Sequence, residues 1–176
     1  MTAAADYVEQ AKAALGNSWL PALYLERVLN SRSRQYQFPQ VAERPRVEIH
    51  HTLLGIELKL GRHRLLCPDL ATARYLSVFA RIGCRAVAIP YDISRISLVA
   101  DELESSWQRT ILVSEQLTAS RGPALRARVR RQIIAKVREE IAKAGAGPRV
   151  PQFKQSTKQR TAPPKSAKGT KRNAAQ

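Results

Sequence analysis

The sequence has few cysteines and aromatic residues, and it lacks the clusters that carry most metal and cofactor chemistry. Its two cysteines, Cys67 and Cys84, have no CxxC spacing and no matching pair of histidines. Because structural zinc needs about four closely spaced ligands, the sequence predicts no metal site. No glycine-rich phosphate loop or Ser-His-Asp arrangement is present, so no cofactor is predicted either. Isolated cysteines of this kind are typical of buried thiols in a reducing compartment.

Long apolar runs are also missing. No stretch of the chain approaches the ~18 apolar residues that a membrane-spanning helix requires. The first residues meet Asp6 early and lack the basic start and apolar run of a signal peptide. These features predict a cytoplasmic protein, and association with a nucleoid or a ribosome is compatible with them.

Acidic residues are scarce in one part of the chain only. Residues 121–176 hold 16 Lys and Arg against 2 acidic residues, a net charge of +14, whereas residues 1–120 hold 14 against 12, a net charge of +2. A nearly neutral body with a strongly basic extension is typical of attachment to nucleic acid or to another anionic surface. The boundaries predicted from composition are a compact domain over 1–118, a basic amphipathic helix over 119–146 and a disordered tail over 147–176.

The hydrophobic pattern predicts an α/β fold, with α+β as the alternative. Helices are expected over 6–15, 20–33, 69–83, 94–117 and from Pro123 onward, with strands over 47–54, 56–60, 63–67 and 86–89. The pattern predicts a small mixed sheet with a β-hairpin and one βαβ unit, flanked by helices. In that unit the strands at 63–67 and 86–89 are expected to be parallel, joined by a right-handed crossover.

Two local features follow from the turns. Gly61-Arg62 is a two-residue turn with glycine first, so Leu60 is expected opposite His63 and Leu58 opposite Leu65. Asp69 and Asp92 each directly precede a predicted helix, where an aspartate caps free N–H groups. We predict capping for both, although the carboxyl ends of parallel strands are also where open α/β sheets bind ligands.

The basic helix is the strongest functional signal. An aliphatic residue recurs every fourth position from Leu125 to Ile141, and basic side chains surround this stripe: Arg121, Arg126, Arg128, Arg130, Arg131, Lys136 and Arg138. Arginine suits phosphate because its planar fork donates two parallel hydrogen bonds. We therefore predict DNA or RNA as the partner and low sequence specificity.

The tail adds a flexible polycation with little apolar content. Its basic residues beyond Arg149 are Lys154, Lys158, Arg160, Lys165, Lys168, Lys171 and Arg172. Such a segment neutralises phosphates without reading sequence. The alternatives for the basic region are a solvated face, a helix for an acidic protein partner, or contact with an anionic membrane.

An enzymatic alternative rests on Glu57-Leu58-Lys59. These residues have the Glu-x-Lys form of restriction-endonuclease-like nucleases, and the predicted order of helix, three strands, helix and strand is similar to their core. The resemblance implies a metal-dependent nuclease, with Glu48 as an earlier acid and Lys59 positioning the attacking water. The chain departs from that pattern, because the usual aspartate is absent and the element lies one strand early. His50, His51 and His63 are expected to be ordinary core or surface histidines.

Overall fold

The computed structural model describes residues 4–40 and 46–149. The helices are α1 (Ala4–Leu15), α2 (Leu20–Leu23), α3 (Leu70–Ile82), α4 (Ile93–Leu117) and α5 (Pro123–Ala144), and the strands are β1 (Ser33–Gln37), β2 (Val47–Thr52), β3 (Gly55–Leu60), β4 (His63–Cys67) and β5 (Ala86–Pro90). A 3₁₀ turn at Gly16–Ser18 precedes α2, and π-helical turns at Tyr24–Leu29 continue it. No helix in the described ranges is long and apolar enough to cross a membrane.

The mixture of helices and strands confirms the predicted fold class. Strands β2, β3 and β4 form an antiparallel sheet in which Leu60 lies opposite His63 and Leu58 opposite Leu65. The predicted hairpin and its register are therefore confirmed. Leu58 and Leu60 are completely buried, as expected for the inward face of a strand with period two. This face of the sheet packs against α3.

The predicted parallel pairing of the strands at 63–67 and 86–89, which are β4 and β5 in the structure, is wrong. β5 pairs with β1 in a separate two-stranded sheet, and both sheets are antiparallel. The order strand, helix, strand is present over 63–90, but α3 connects two different sheets. Asp69 and Asp92 therefore do not lie at the edge of one shared parallel sheet.

One edge of β5 pairs with β1, and two side chains occupy its other edge, so no strand of the described ranges pairs there. The backbone N–H of Ala88 donates to the hydroxyl oxygen of Tyr24 at 2.7 Å, and its carbonyl accepts from the hydroxyl of Tyr75 at 2.5 Å. The Tyr24 hydroxyl in turn donates to the carbonyl of Gly145 at 2.8 Å. Because buried backbone groups must find partners, two tyrosines replace the strand that the βαβ prediction placed here.

The second helix ends earlier than predicted. Its helical turns end at Leu29, so the expected helix to Ser33 is corrected, and the chain enters β1, a strand that was not predicted, at Ser33. The segment has the polar sequence SRQYQ, and Ser33 is its one buried residue. The strand exists because it pairs with β5, a partner about fifty residues further along the chain.

The helix caps behave as the sequence predicts. Asp69 accepts a 2.7 Å hydrogen bond from the backbone N–H of Thr72, and Gly83 ends α3 in the left-handed region at φ 82°. Asp92 accepts from the backbone N–H of Ser94 at 3.0 Å. Both aspartates are therefore N-caps.

The stripe on α5 is part of the main hydrophobic core. Val129, Ile133, Val137 and Ile141 are buried in the same cluster as the residues of α1, α3 and α4. The stripe thus docks α5 onto the body of the same chain. This position decides which of its basic side chains face solvent and which face neighbouring helices.

Candidate functional site

A ridge of basic side chains runs along α5 beside its buried stripe. Arg126, Arg130, Ile134 and Arg138 recur every fourth residue, so they share one face of the helix. Each lies one position after a residue of the apolar stripe. Burying that stripe therefore places the ridge at the border between α5 and the adjacent helices, with Arg126 and Arg130 exposed and Ile134 and Arg138 partly buried.

The ridge lines a groove of about 820 Å³ between α5, α4 and the end of α3. Five arginines contribute to its walls: Arg81, Arg126, Arg130, Arg131 and Arg138. Among the described residues, Glu115 is the only acidic one that lines it, and Ile82 and Trp107 supply apolar lining. A concave surface with five guanidinium groups and one carboxylate favours an anionic ligand.

Arg126 has a structural role in this groove. Its Nε donates to the carbonyls of Thr118 at 3.1 Å and Arg121 at 2.8 Å, and its Nη2 donates to the carbonyl of Ala119. These carbonyls belong to the turn after α4, where helix geometry leaves acceptors without partners. Arg126 therefore holds the α4–α5 turn, and much of its donor capacity is used there.

Arg130 and Arg131 keep most of their donors available. Arg130 lies 3.9 Å from the carboxylate of Glu115, and both side chains are more than half exposed. Exposed pairs at such a distance contribute little to stability. Among the residues that the structure describes, Arg131 uses only its Nε, which donates to the carbonyl of Ala127 at 3.2 Å. Both guanidinium groups can therefore take a new acceptor at small cost.

Arg138 lies deeper, at the junction of this groove and a second cavity beside Cys84. Its Nε is buried and has no hydrogen-bond partner among the described residues. Burial raises the pKa of the Cys84 thiol to about 12. The charge of Arg138 lowers the same pKa, but by less than burial raises it. Buried polar groups are normally paired, so this Nε is an exception, and because it is buried it is not accessible to an anion in the groove.

The remaining predicted residues of the helix do not line the groove. Arg121 and Arg128 are exposed, and neither guanidinium forms an ion pair within the described ranges. Lys136 lies 3.8 Å from Glu139 on another side of α5. The predicted tail residues, from Lys154 to Arg172, lie outside the described residues.

The two acidic residues of α5 are both occupied. Glu139 forms a 2.7 Å ion pair with Lys143. Glu140 accepts from Lys12 and from the indole of Trp19, each at 2.7 Å. Burial tends to raise the pKa of Glu140, but these hydrogen bonds and the nearby lysine charges lower it overall. Both carboxylates are therefore paired with residues outside the groove, and neither one lines it.

Arg81 is a groove residue that the sequence did not reveal. It lies in the last turn of α3, where a basic side chain is common because it suits the helix dipole. Only the packing of α3 beside α5 makes it a neighbour of the arginine ridge. No local pattern contains that information.

The residues of the nuclease alternative lie on the outer face of the three-stranded sheet. Glu48 faces Lys59 at 3.6 Å and also contacts Arg46 at 2.6 Å, while Glu57 lies 3.6 Å from Arg64. Each carboxylate thus has a basic partner. Within the part of the chain that the structure describes, no group of three or more His, Cys, Asp or Glu side chains is placed to hold a metal ion.

Comparisons with known proteins add no relative to this description. No family model, curated protein or solved structure matches the chain. The groove is therefore the feature from which a function can be inferred.

Proposed function

We propose that this protein binds nucleic acid through the phosphate backbone, with low sequence specificity and without catalysing a reaction. The observation that carries the proposal is the groove of five arginines and a single carboxylate beside α5. The groove uses a fixed helix to present guanidinium groups, whereas the tail adds positive charge to the chain.

The donors in the groove suit phosphate oxygens. Arg130 and Arg131 are exposed and have weak or single contacts among the described residues. A guanidinium binds phosphate with two parallel, charge-assisted hydrogen bonds, which are about twice as strong as neutral ones. Contacts of this kind position a protein on a nucleic acid but do not read its bases.

The distribution of charge supports the same ligand. Residues 121–176 carry a net charge of +14, in which the two carboxylates of α5 are already counted. Long-range attraction of this strength raises the rate of encounter with polyanions. The tail residues Lys154 to Arg172 would add sequence-independent attraction through released counterions.

Fluorescence anisotropy across a salt series tests the proposal. If Arg81, Arg130, Arg131 and Arg138 each neutralise one phosphate, the logarithm of affinity for duplex should fall with the logarithm of salt at a slope of about −3.6 or steeper, since each phosphate neutralised adds about −0.9. A polyglutamate of matched charge serves as competitor. Absence of saturable binding at 0.15 M salt would refute the proposal, and equal competition by polyglutamate would favour the acidic-protein alternative.

A further inference from the structure

A second basic surface lies on the small β1–β5 sheet. The guanidinium carbons of Arg32 and Arg34 are 5.3 Å and 5.8 Å from the centroid of the Tyr91 ring. Half of the Tyr91 surface is exposed to solvent. We call these three residues the tyrosine platform.

The backbone fixes the geometry of this platform. Ser33 lies opposite Pro90 in the antiparallel pair, and the N–H of Tyr91 donates to the carbonyl of Arg32 at 3.1 Å. Because successive side chains of a strand point to opposite faces, buried Ser33 leaves Arg32 and Arg34 together on the outer face. The aromatic ring and the two cations are thus held by the sheet.

Neither guanidinium of the platform forms an ion pair with an acidic residue in the described ranges. The neighbouring carboxylate of Asp92 is engaged as an N-cap, accepting from the backbone and the hydroxyl of Ser94. Both guanidinium carbons lie close to the same ring centroid, at 5.3 Å and 5.8 Å, so positive charge is concentrated beside the ring. Such a concentration of charge favours an anion.

Gly147 and Pro148, at the start of the predicted tail, contact the β1–β5 sheet. The N–H of Gln35 donates to the carbonyl of Pro148 at 2.9 Å. A β-carbon on Gly147 would lie 3.2 Å from both Ala88 and Ser33, so the chain approaches the sheet closely here. Gly147 and Pro148 therefore lie against the buried face of the β1–β5 sheet, the face that carries Ser33 and Ala88.

We propose that the tyrosine platform binds an unpaired nucleotide of single-stranded nucleic acid. The base would stack on the exposed ring of Tyr91, and its phosphate would accept hydrogen bonds from Arg32 and Arg34. Aromatic rings combined with cations are the usual means of holding single strands, because every base has a π face. This inference rests on the proposed function and adds to it the class of strand that the second surface recognises.

Affinity for matched single-stranded and duplex probes tests the inference on the full chain. Tyr91→Leu removes the ring and keeps an apolar side chain, whereas Tyr91→Phe keeps the ring. We expect Tyr91→Leu to weaken single-strand binding roughly five- to 150-fold, the range for removal of one base–aromatic stack. Tyr91→Phe should stay within about twofold for both probes, and duplex binding should be unchanged in both variants. An Arg32→Gln, Arg34→Gln double variant should also weaken single-strand binding.

A crosslinking readout separates the platform from any effect on folding. Strands that contain 5-iodouracil, irradiated with the wild-type protein, should crosslink to Tyr91, as identified by mass spectrometry. Unchanged single-strand affinity in Tyr91→Leu, with crosslinks elsewhere on the chain, would overturn the inference while leaving the proposed function intact. If neither probe binds the wild-type protein, both proposals fail.

Discussion

The carboxylate of Glu140 on α5 accepts a 2.7 Å hydrogen bond from the indole Nε1 of Trp19, and its second oxygen accepts a 2.7 Å bond from Lys12. One of the two acids on the basic helix is thus turned toward α1 and the turn after it. This contact, together with the buried stripe, fixes the rotation of α5 about its axis. With that rotation fixed, the arginine ridge faces the groove.

Removal of the Glu140 carboxylate should destabilise the fold. Glu140→Ala leaves two donors without their acceptor, so we expect the free energy of unfolding at pH 7 to fall by about 1–3 kcal/mol. Glu139→Gln is the matched control on the adjacent exposed position, with an expected change within about 0.5 kcal/mol. Urea denaturation measures both. Equal values for the two variants would contradict a docking role for Glu140.

The same carboxylate predicts a dependence on pH. Because its pKa in the folded state lies below the ordinary value of 4.5, its contribution is fully present above that pH and is lost as pH falls through the folded pKa. The difference in stability between wild type and Glu140→Gln should therefore shrink below about pH 4.5. Urea midpoints between about pH 3 and pH 7 test this, and a constant difference would argue against it.

Tyr24 should stabilise the end of α5 through its hydroxyl group. Tyr24→Phe leaves the N–H of Ala88 and the carbonyl of Gly145 without this partner, so we expect a decrease of about 1–3 kcal/mol in the free energy of unfolding at pH 7. Burial raises the pKa of Tyr24 from 10.0 to about 12. The neutral hydroxyl therefore contributes fully below about pH 10 and loses its contribution as pH rises through about 12. Thermal unfolding of both proteins at about pH 7 and pH 11 should show the difference narrowing at the higher pH.

The tail should contribute affinity without changing what the groove does. Replacing its seven basic residues beyond Arg149 with Gln should make the salt slope on duplex shallower by up to about 0.9 for each phosphate that the tail no longer neutralises. The ratio of affinities between the wild-type groove and a groove variant should be the same with either tail. An unchanged salt slope would show that the tail neutralises no phosphate.

The sequence predicted the parts of this fold that are determined by interactions between residues close together in the chain. The Gly61 turn set the register of Leu58 and Leu60, the two aspartates marked helix starts, and the four-residue period from Leu125 to Ile141 indicated the buried stripe of α5. The arginine ridge was also present in the sequence as the same period shifted by one residue. These features depend on neighbours within one or two turns of chain.

Features that depend on distant partners could not be predicted in this way. β1 is a strand because it pairs with β5, and the edge of β5 that a parallel strand was expected to occupy is closed by the hydroxyls of Tyr24 and Tyr75. The place of Arg81 in the groove and of Glu140 against Trp19 likewise depends on how whole helices pack. The tyrosine platform needs the β1–β5 pairing, which composition alone does not reveal.

The most direct test of the central claim removes two groove charges and compares the result with an equal charge change elsewhere. Arg130→Gln with Arg131→Gln changes two exposed positions of α5, and Arg62→Gln with Arg64→Gln removes the same charge from the exposed β3–β4 hairpin. In anisotropy titrations with duplex at 0.15 M salt, the groove variant should bind roughly ten- to thirtyfold more weakly, with a slope shallower by about 1.8. The hairpin variant should change by less than about threefold at the wild-type slope. Equal weakening in the two variants would show that only net charge matters and would contradict the groove as the binding site.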